Sequence, residues 1–390
     1  MKVISDEIYS APVFISECAD YDVGYLENII QRAISEIQIS EDDIKGKKIL
    51  LKPNLVLAKK PDFAATTHPA FIRACANVLL QMGALSLVIA DSPGGPFNEG
   101  NLSSVYRICE INSLSDIKKL KINNDFSYVP AKTNGERLKK FHIIKAFDDA
   151  DVIVDLCKLK THNLTGMSCA VKNLFGLIPG VEKFEMHSTF PKIEDFSEML
   201  VDLALFVLKN KKFIALCDGI LSMEGNGPSH GIPRKAGLVL VSASPFAMDI
   251  AARRIIGVDP VLHVDAAAKR GLVPESADDI NFVGGIACPA LDFKKPDNSA
   301  GKFLKKLPDM FGGHFASFFE SRPEIMKKKC VGCGVCVFSC PRHTIKLIIK
   351  HKKRKASISY NSCIHCYCCQ ELCPSGAVGT HRNFLIKLIH

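Results

Sequence analysis

CVGCGVCVFSCP over residues 330–341 and CIHCYCCQELCP over residues 363–374 are one pattern written twice, Cys330-x2-Cys333-x2-Cys336-x3-Cys340-Pro341 and Cys363-x2-Cys366-x2-Cys369-x3-Cys373-Pro374. Three thiolates spaced two residues apart can cap three corners of one cubane as the chain wraps round it, while the fourth cysteine, followed by proline, turns away. The pattern therefore predicts two 4Fe-4S clusters. A pair of zinc sites is the alternative, but zinc needs only four ligands and gives no reason for a fourth cysteine followed by proline in both runs. Cys368 is the one cysteine of the second run that the pattern does not require. It reads as a buried thiol near the cluster or as an alternative ligand.

Working outward, 390 residues exceed one ordinary core, so two or three domains are expected, with the large one before the cysteine runs. The boundaries are read as an α/β domain over 1–292, a connector over 293–322, a small α+β two-cluster module over 323–380 and a tail over 381–390. Met1 to Asp20 has no basic segment followed by an apolar run, and no stretch of 18 apolar residues occurs, so a cytoplasmic protein without a membrane span is expected. The terminal FLIKLI, 384–389, is apolar but too short to span; tail packing is the simpler use of it. Seven cysteines, Cys18, Cys75, Cys109, Cys157, Cys169, Cys217 and Cys288, are scattered singly, mostly in apolar segments where a free Cys behaves as a small hydrophobe. A reducing cytosol, that of an anaerobe, fits such usage.

The net charge of +9 is unevenly placed. From residue 296 onward there are 16 Lys plus Arg against 5 Asp plus Glu, a surplus of +11, so the preceding 295 residues sum to −2. A basic segment invites a nucleic-acid reading. Each cubane with four thiolates carries roughly −2 to −3, however, which offsets about half the surplus. The remainder, chiefly Lys327 to Lys329 and His351 to Lys355, suits the docking of an acidic redox protein, or is a solvated face and hairpin tip. No specific nucleic-acid site is expected.

The large region alternates strands with helices. Lys48 to Val56 reads as a buried strand ending in a Pro-Asn turn, and Thr67-His68-Pro69 opens a helix to Gln81 with Thr67 as N-cap. Further strands are expected at Leu85 to Ala90, Val152 to Leu156, Phe213 to Cys217 and Leu238 to Val241. Helices are expected at Phe196 to Leu208 and at Pro245 to Ile256, the latter stopped by Gly257. This order implies an α/β fold: a mainly parallel sheet covered by helices. The connector is rich in Lys, Phe, Gly and Pro. Thr344 to Ile349 and Ala356 to Tyr360 read as a hairpin inserted between the cysteine runs.

In open α/β sheets, ligands bind beyond the C-terminal ends of the strands. Lys52-Pro-Asn54, Asp91-Ser-Pro-Gly-Gly95, Lys158-Leu-Lys160-Thr-His162 and Asp218, followed by Glu224-Gly-Asn-Gly-Pro228, all fall where strands are expected to end. Four such groups suggest one shared cleft. Lys172 stands in an apolar run, where an unpaired ammonium is costly. It either meets a carboxylate or anion or snorkels to the edge. With His162 and His187 it forms a candidate set for moving protons or for binding a metal or phosphate, with salt bridges and helix caps as the plain alternative. The glycine-rich segment 225–231 could offer backbone N–H groups to an anion. GxxxxGK[ST] is absent and so is a GxGxxG turn, so neither a P-loop nor a Rossmann NAD site is supported.

Together these segments resemble the prokaryotic iron–sulfur proteins of domain of unknown function 362. The likeness is carried by Lys52-Pro-Asn-Leu-Val56, Thr67-His-Pro69, Asp91-Ser-Pro93, Lys160-Thr-His162, Ala170-Val-Lys-Asn-Leu-Phe-Gly176, Asp218-Gly219, Glu224-Gly-Asn-Gly-Pro228, Ala247-Met-Asp249 and the second cysteine run. The resemblance implies an α/β domain joined to a C-terminal ferredoxin-like module, with no assigned reaction. The cysteine runs are similar to those of two-cluster bacterial ferredoxins, where the fourth cysteine ligates the other cubane. That likeness implies Cys330, Cys333, Cys336 and Cys373 on one cluster, and Cys363, Cys366, Cys369 and Cys340 on the other. A fainter likeness, of His162, Lys172, the Gly-Leu-Ile-Pro-Gly segment 176–180 and His187, is to nickel-pincer lactate racemase. It would make Lys172 the cofactor attachment point, His187 a nickel ligand and His162 a general acid/base. Here Cys169-Ala-Val stands where that family has a glycine-rich approach.

Three readings follow. In the first, two clusters pass electrons to or from a small molecule, or a second cofactor or anion, in a cleft formed by Lys52, Asn54, His68, Asp91, Lys160, His162, Lys172, His187, Asp218 and Glu224, making the chain an oxidoreductase. In the second it is a non-redox racemase- or isomerase-like enzyme on a small hydroxy acid, with structural clusters. In the third it is an electron carrier or assembly subunit of a larger complex. The number of charged groups near strand ends favours a cleft.

Overall fold

The computed structural model describes residues 11–296, 321–350 and 353–381. Most of the expected connector, the first two residues of the expected hairpin tip and nearly all of the tail lie outside the described residues.

A nine-stranded sheet organises the chain up to residue 283. In chain order its strands are β1 (Val13–Glu17), β2 (Lys48–Pro53), β3 (Ser86–Ile89), β4 (Leu120–Ile122), β7 (Val152–His162), β8 (Gly166–Ser168), β9 (Lys212–Glu224), β10 (Ile232–Ser242) and β11 (Phe282–Val283). Between β4 and β7 lies a separate two-stranded pair, β5 (Tyr128–Lys132) and β6 (Lys140–Ile144). The order across the main sheet is β11-β1-β10-β9-β7-β2-β3-β4, with β8 folded back on β7. Strands β9, β7, β2, β3 and β4 run parallel, and β10 is antiparallel to both its neighbours. The fold is therefore α/β with a mainly parallel sheet.

Side-chain alternation along these strands supplies two cores, as period-two geometry requires. Leu50, Ile153, Cys157, Leu159, Ala215, Cys217 and Leu240 face one core. Their neighbours Ile49, Leu51, Val152, Val154, Leu156, Ile214, Leu216, Val239 and Val241 face the other. The second core is covered by α1 (Val23–Glu36), α2 (Pro69–Gln81) and α3 (Glu99–Ile108). The first is covered by the short α4 (Ala170–Asn173), α5 (Ile193–Asn210), α6 (Pro245–Ile256) and α7 (Leu262–Lys269).

Two local expectations change. His68, not Thr67, caps α2: its Nδ1 accepts from the Ala70 N–H at 3.2 Å. The Thr67 hydroxyl instead accepts from Asn54 N at 2.9 Å and donates to Leu156 O at 2.6 Å, tying the end of β2 to β7. Strands β7 and β9 also run to 11 and 13 residues, well past the expected stops. Lys158, Lys160, His162, Asp218 and Glu224 thus lie inside strands, because the β7–β9 and β9–β10 ladders continue past the apolar segments, each through one irregularity.

The C-terminal module packs two small antiparallel pairs around the cysteines. One is β12 (Arg322–Ile325) with β15 (Val378–His381), and the other is the hairpin β13 (Ile345–Lys350) with β14 (Lys353–Ile358). A single-turn helix follows each run's second cysteine: Val335–Phe338 holds Cys336, and Cys368–Glu371 holds Cys368 and Cys369. The second of these turns lies against the α/β domain. Asn163 Nδ2 donates to Gln370 Oε1 at 2.7 Å, and Ser229 Oγ donates to Glu371 O at 2.6 Å. Gly94 is a docking requirement: a Cβ there would sit 2.0 Å from Leu372 Cδ2.

Candidate functional site

At this junction lies a cavity of about 70 Å³. Its walls include Lys52, Asn54, Asp91, Lys160, His162, Lys172 and His187 from the sequence reading, together with Lys183, Phe184, Cys368, Glu371 and Leu372. Its floor is built where β2, β3 and β7 end. Lys52, fully buried, is fixed by an ion pair to Asp91 at 2.8 Å and by Pro53 O at 2.9 Å. The other Asp91 oxygen accepts from Leu55 N at 2.8 Å. Gly176 passes directly over this pair. A Cβ there would lie 2.0 Å from Asp91 Oδ1 and 2.7 Å from Lys52 Nζ, so the segment can close on the ion pair only as glycine.

Among the described residues, Lys160 and Lys183 are held by neutral oxygens alone. Lys160 Nζ donates to Asn54 Oδ1 at 2.9 Å and Ala65 O at 2.7 Å. Lys183 Nζ donates to Ser92 O and Ser92 Oγ, each at 2.8 Å, and to Ile178 O at 2.9 Å. Burial, with no contacting carboxylate to hold the proton, pulls both ammonium groups down to a pKa of about 7. Sequence reasoning missed Lys183; the available signal was a lysine one turn before His187 in a segment already rich in candidates.

Lys172 differs from its neighbours. It sits on α4, whose first turn is held by Asp249: Ala170 N donates to Oδ1 at 2.7 Å, and His263 Nε2 lies 3.0 Å from Oδ2. Asn173, next in the chain, donates to Asp155 Oδ1 at 2.8 Å and to Lys52 O at 3.3 Å, fixing the far end. Asp155 is itself wholly buried, and burial pushes its carboxyl well above the ordinary range. The Lys172 ammonium lies 5.0 Å over the Phe175 ring and 5.9 Å from the Phe196 ring centre, and meets no carboxylate among the described residues. His187 stacks on Phe196 with centroids 4.3 Å apart. Burial and the nearby Lys172 charge depress its pKa to about 3, which keeps the imidazole neutral. His162 Nδ1 accepts from Leu164 N at 3.1 Å, so the neutral ring carries its proton on Nε2.

Three of the residues singled out in the sequence are not brought here. Asp218 forms a separate buried cluster, accepting from Lys158 Nζ at 2.7 Å, from Tyr21 OH at 2.8 Å and from the His68 N–H at 3.0 Å. The His68 ring stacks on Tyr21 at 3.7 Å. Glu224 pairs with Arg234 at 2.8 Å and accepts from Lys294 N at 3.0 Å. The 225–231 segment is the β9–β10 turn; Gly225 N and Gly227 N donate to Lys294 O and Gly225 O, so neither is offered to an anion.

The cluster cysteines fall around two separate cavities. One is lined by Cys330, Cys333, Cys336 and Cys373, the other by Cys340, Cys363, Cys366, Cys368 and Cys369, so each draws one thiol from the opposite run. Backbone N–H groups point at the sulfurs, Ala356 to Cys330 at 3.4 Å, Thr344 to Cys340 at 3.3 Å and Ala377 to Cys373 at 3.2 Å. Four soft donors with N–H contacts fit an iron–sulfur cluster. Cys368 lines both the second cysteine cavity and the lysine cavity.

Residues 49–254 match the model of the Domain of unknown function (DUF362), just over half of the chain. The chain belongs to that family. This DUF362 protein also matches the 4Fe-4S dicluster domain over residues 329–377, and it is an iron–sulfur protein. The Thylakoid-associated protein sll1697 of Synechocystis sp. is 33% identical over 238 residues, 60% of this chain and 71% of that one. Among solved structures, a protein from Thermotoga maritima is 14% identical with a TM-score of 0.36, covering 58% of this chain and 57% of that one. The lactate racemase apoprotein from Thermoanaerobacterium thermosaccharolyticum is 16% identical with a TM-score of 0.38, covering 60% and 54%. The DUF362 chain thus spans little more than half the length of either solved structure. No helix among its described residues is long and apolar enough to cross a membrane.

Proposed function

We propose that this DUF362 protein is a redox protein whose lysine cavity binds a small anion beside a two-cluster module. Cys330, Cys333, Cys336 and Cys373 would hold one 4Fe-4S cluster, and Cys340, Cys363, Cys366 and Cys369 the other. When bound, such clusters supply one-electron transfer. The observation that carries the reading is Cys368, a single side chain forming part of the wall of both the second cysteine cavity and the lysine cavity.

The chain's own residues divide the remaining work. Lys172, buried between two rings with no carboxylate partner among the described residues, attracts and orients the anion. Lys52 and Asp91 hold the floor rigid, since each satisfies the other. Lys160 and Lys183 are poised near neutrality, so either can give up or take a proton at Nζ. The first cysteine set lies nearer the surface: Cys333 is exposed and Val331 is 67% exposed. The nearby Lys327 to Lys329 and Lys353 to Lys355 suit an acidic redox partner.

The test is anaerobic purification with iron, sulfide and nickel analysis, followed by EPR of the reduced protein with and without oxalate as a probe anion. About eight irons per chain and two interacting reduced centres are expected, with oxalate perturbing one of them in the wild type and not in Lys172→Ala. Zinc without sulfide overturns the cluster assignment. One observation favours a second reading: His162, Lys172 and His187 share the cavity. Stoichiometric nickel lost in His187→Ala would select a non-redox isomerase-like enzyme acting on a small hydroxy acid.

A further inference from the structure

Four of the scattered thiols sit apart, each buried by itself: Cys18, Cys75, Cys109 and Cys288. The other three converge. Cys157 lies on β7 and Cys217 is its register partner on β9, so both side chains leave the sheet on the same face. Cys169, in the turn before α4, comes down onto them. Its Sγ is 3.6 Å from that of Cys157 and 3.5 Å from that of Cys217, and all three sulfurs lie within 4.8 Å of one another. All three residues have no exposed surface. They come from three chain segments and do not share the sequence spacing that marks the cluster cysteines.

We propose that Cys157, Cys169 and Cys217 form a binding site for one soft, thiophilic metal ion of low coordination number, the class that copper(I) represents. With metal–sulfur bonds of about 2.3 Å, three sulfurs around one ion stand roughly 3.8–4.0 Å apart. The trio needs to open by only a few tenths of an ångström. Among the described residues no histidine or carboxylate joins it to make a fourth ligand, which is what four-coordinate zinc requires. Soft thiolates in a dry core select a soft ion instead. Each thiol that becomes a ligand releases its proton, so loading is coupled to proton loss and, at a site this buried, to folding. The position has a consequence for the cavity. Cys169 immediately precedes the turn that carries Lys172, so a bound ion would pin α4 to the sheet from below while Asp249 holds its first turn.

The test uses the full chain with its clusters assembled. The expression host is grown with copper in the medium, and the protein is purified anaerobically and assayed for copper and iron together. The expected result is about one copper per chain beyond the cluster iron, with X-ray absorption at the copper edge giving a single shell of three sulfurs. Cys217→Ala should lower the copper roughly tenfold or more at unchanged iron, whereas Cys75→Ala should leave both unchanged. Copper content equal in wild type and Cys217→Ala overturns the site, as does a copper shell containing nitrogen or oxygen. Should Cys217→Ala fail to fold, the wild-type sulfur shell and the response of Cys169→Ala decide the question.

Discussion

Lys158 and Lys172 are both buried, both near the C-terminal end of the parallel sheet, and only 14 positions apart, yet they end in opposite situations. Lys158 meets a carboxylate at 2.7 Å, and that carboxylate is also satisfied by Tyr21 and by the His68 N–H. Lys172 meets two aromatic faces and a cavity. The first arrangement is closed: every strong group has its partner, and its role is to join β7, β9 and the start of α2. The second is open, and an anion would complete it. A buried charge with no carboxylate partner among the described residues indicates a site more clearly than the charge alone.

The largest break in this comparison is expected from Asp218→Ala, which leaves Lys158 buried without its partner. About 3–5 kcal/mol of stability should be lost in denaturant titration, with oxalate affinity unchanged in whatever fraction stays folded. Gly176→Ala comes next. Its Cβ would drive into the Lys52–Asp91 pair, so a loss of about 1–3 kcal/mol together with weaker oxalate binding is expected. Lys172→Met should reverse the Asp218 pattern: stability moves by less than about 1 kcal/mol, because only ring contacts are lost, while oxalate binding by calorimetry falls sharply and iron content holds.

pH separates the two regions further. Lys160 and Lys183 have folded values near 7 against about 10.5 when exposed. Between those limits the folded state binds fewer protons than the unfolded chain. Their contribution to stability therefore rises with pH from about 7 to about 10.5, while oxalate affinity declines as pH rises through about 7. Parallel trends in the two measurements would place the titrating groups elsewhere. The smallest effect is expected from Arg234→Ala, whose partner Glu224 is outside the cavity. The pair is partly exposed, so a loss of about 1 kcal/mol or less, with no change in oxalate binding, distinguishes a structural salt bridge from a ligand.

The legibility of these regions from sequence follows the range of the interactions involved. Helix α6 could be read because Pro245 opens it and Gly257 ends it in the left-handed region, both local signals, and the structure adds Ser244 as its cap. β1 passed unnoticed because five residues, four of them buried, show no alternation. Lys52, Asn54, Asp91, Lys160 and His162 were named from their places near strand ends, Lys172 as a lysine in an apolar run and His187 as its companion, and the structure gathers all seven round one cavity. Asp218 and Glu224 satisfied the strand-end criterion and went elsewhere, as did His68, which was named at the start of a helix. Position along a strand says which end of the sheet a group occupies, whereas its partner depends on register. Asp218 stands opposite Lys158 in the β7–β9 ladder, and no local pattern encodes that pairing.

By itself, the sequence determined the metal chemistry of the C-terminal module and the α/β class of the large region. Both depend on spacings of a few residues: cysteines wrapping one cubane, and apolar runs of strand or helix length. Tertiary structure alone decided which lysine was closed by a carboxylate and which was left open. It also brought Cys368 between two cavities and Cys157, Cys169 and Cys217 into contact. Each of these depends on the meeting of segments about ten to more than 200 residues apart, and such meetings are set by strand register and by the docking of the module, not by any local run of residues.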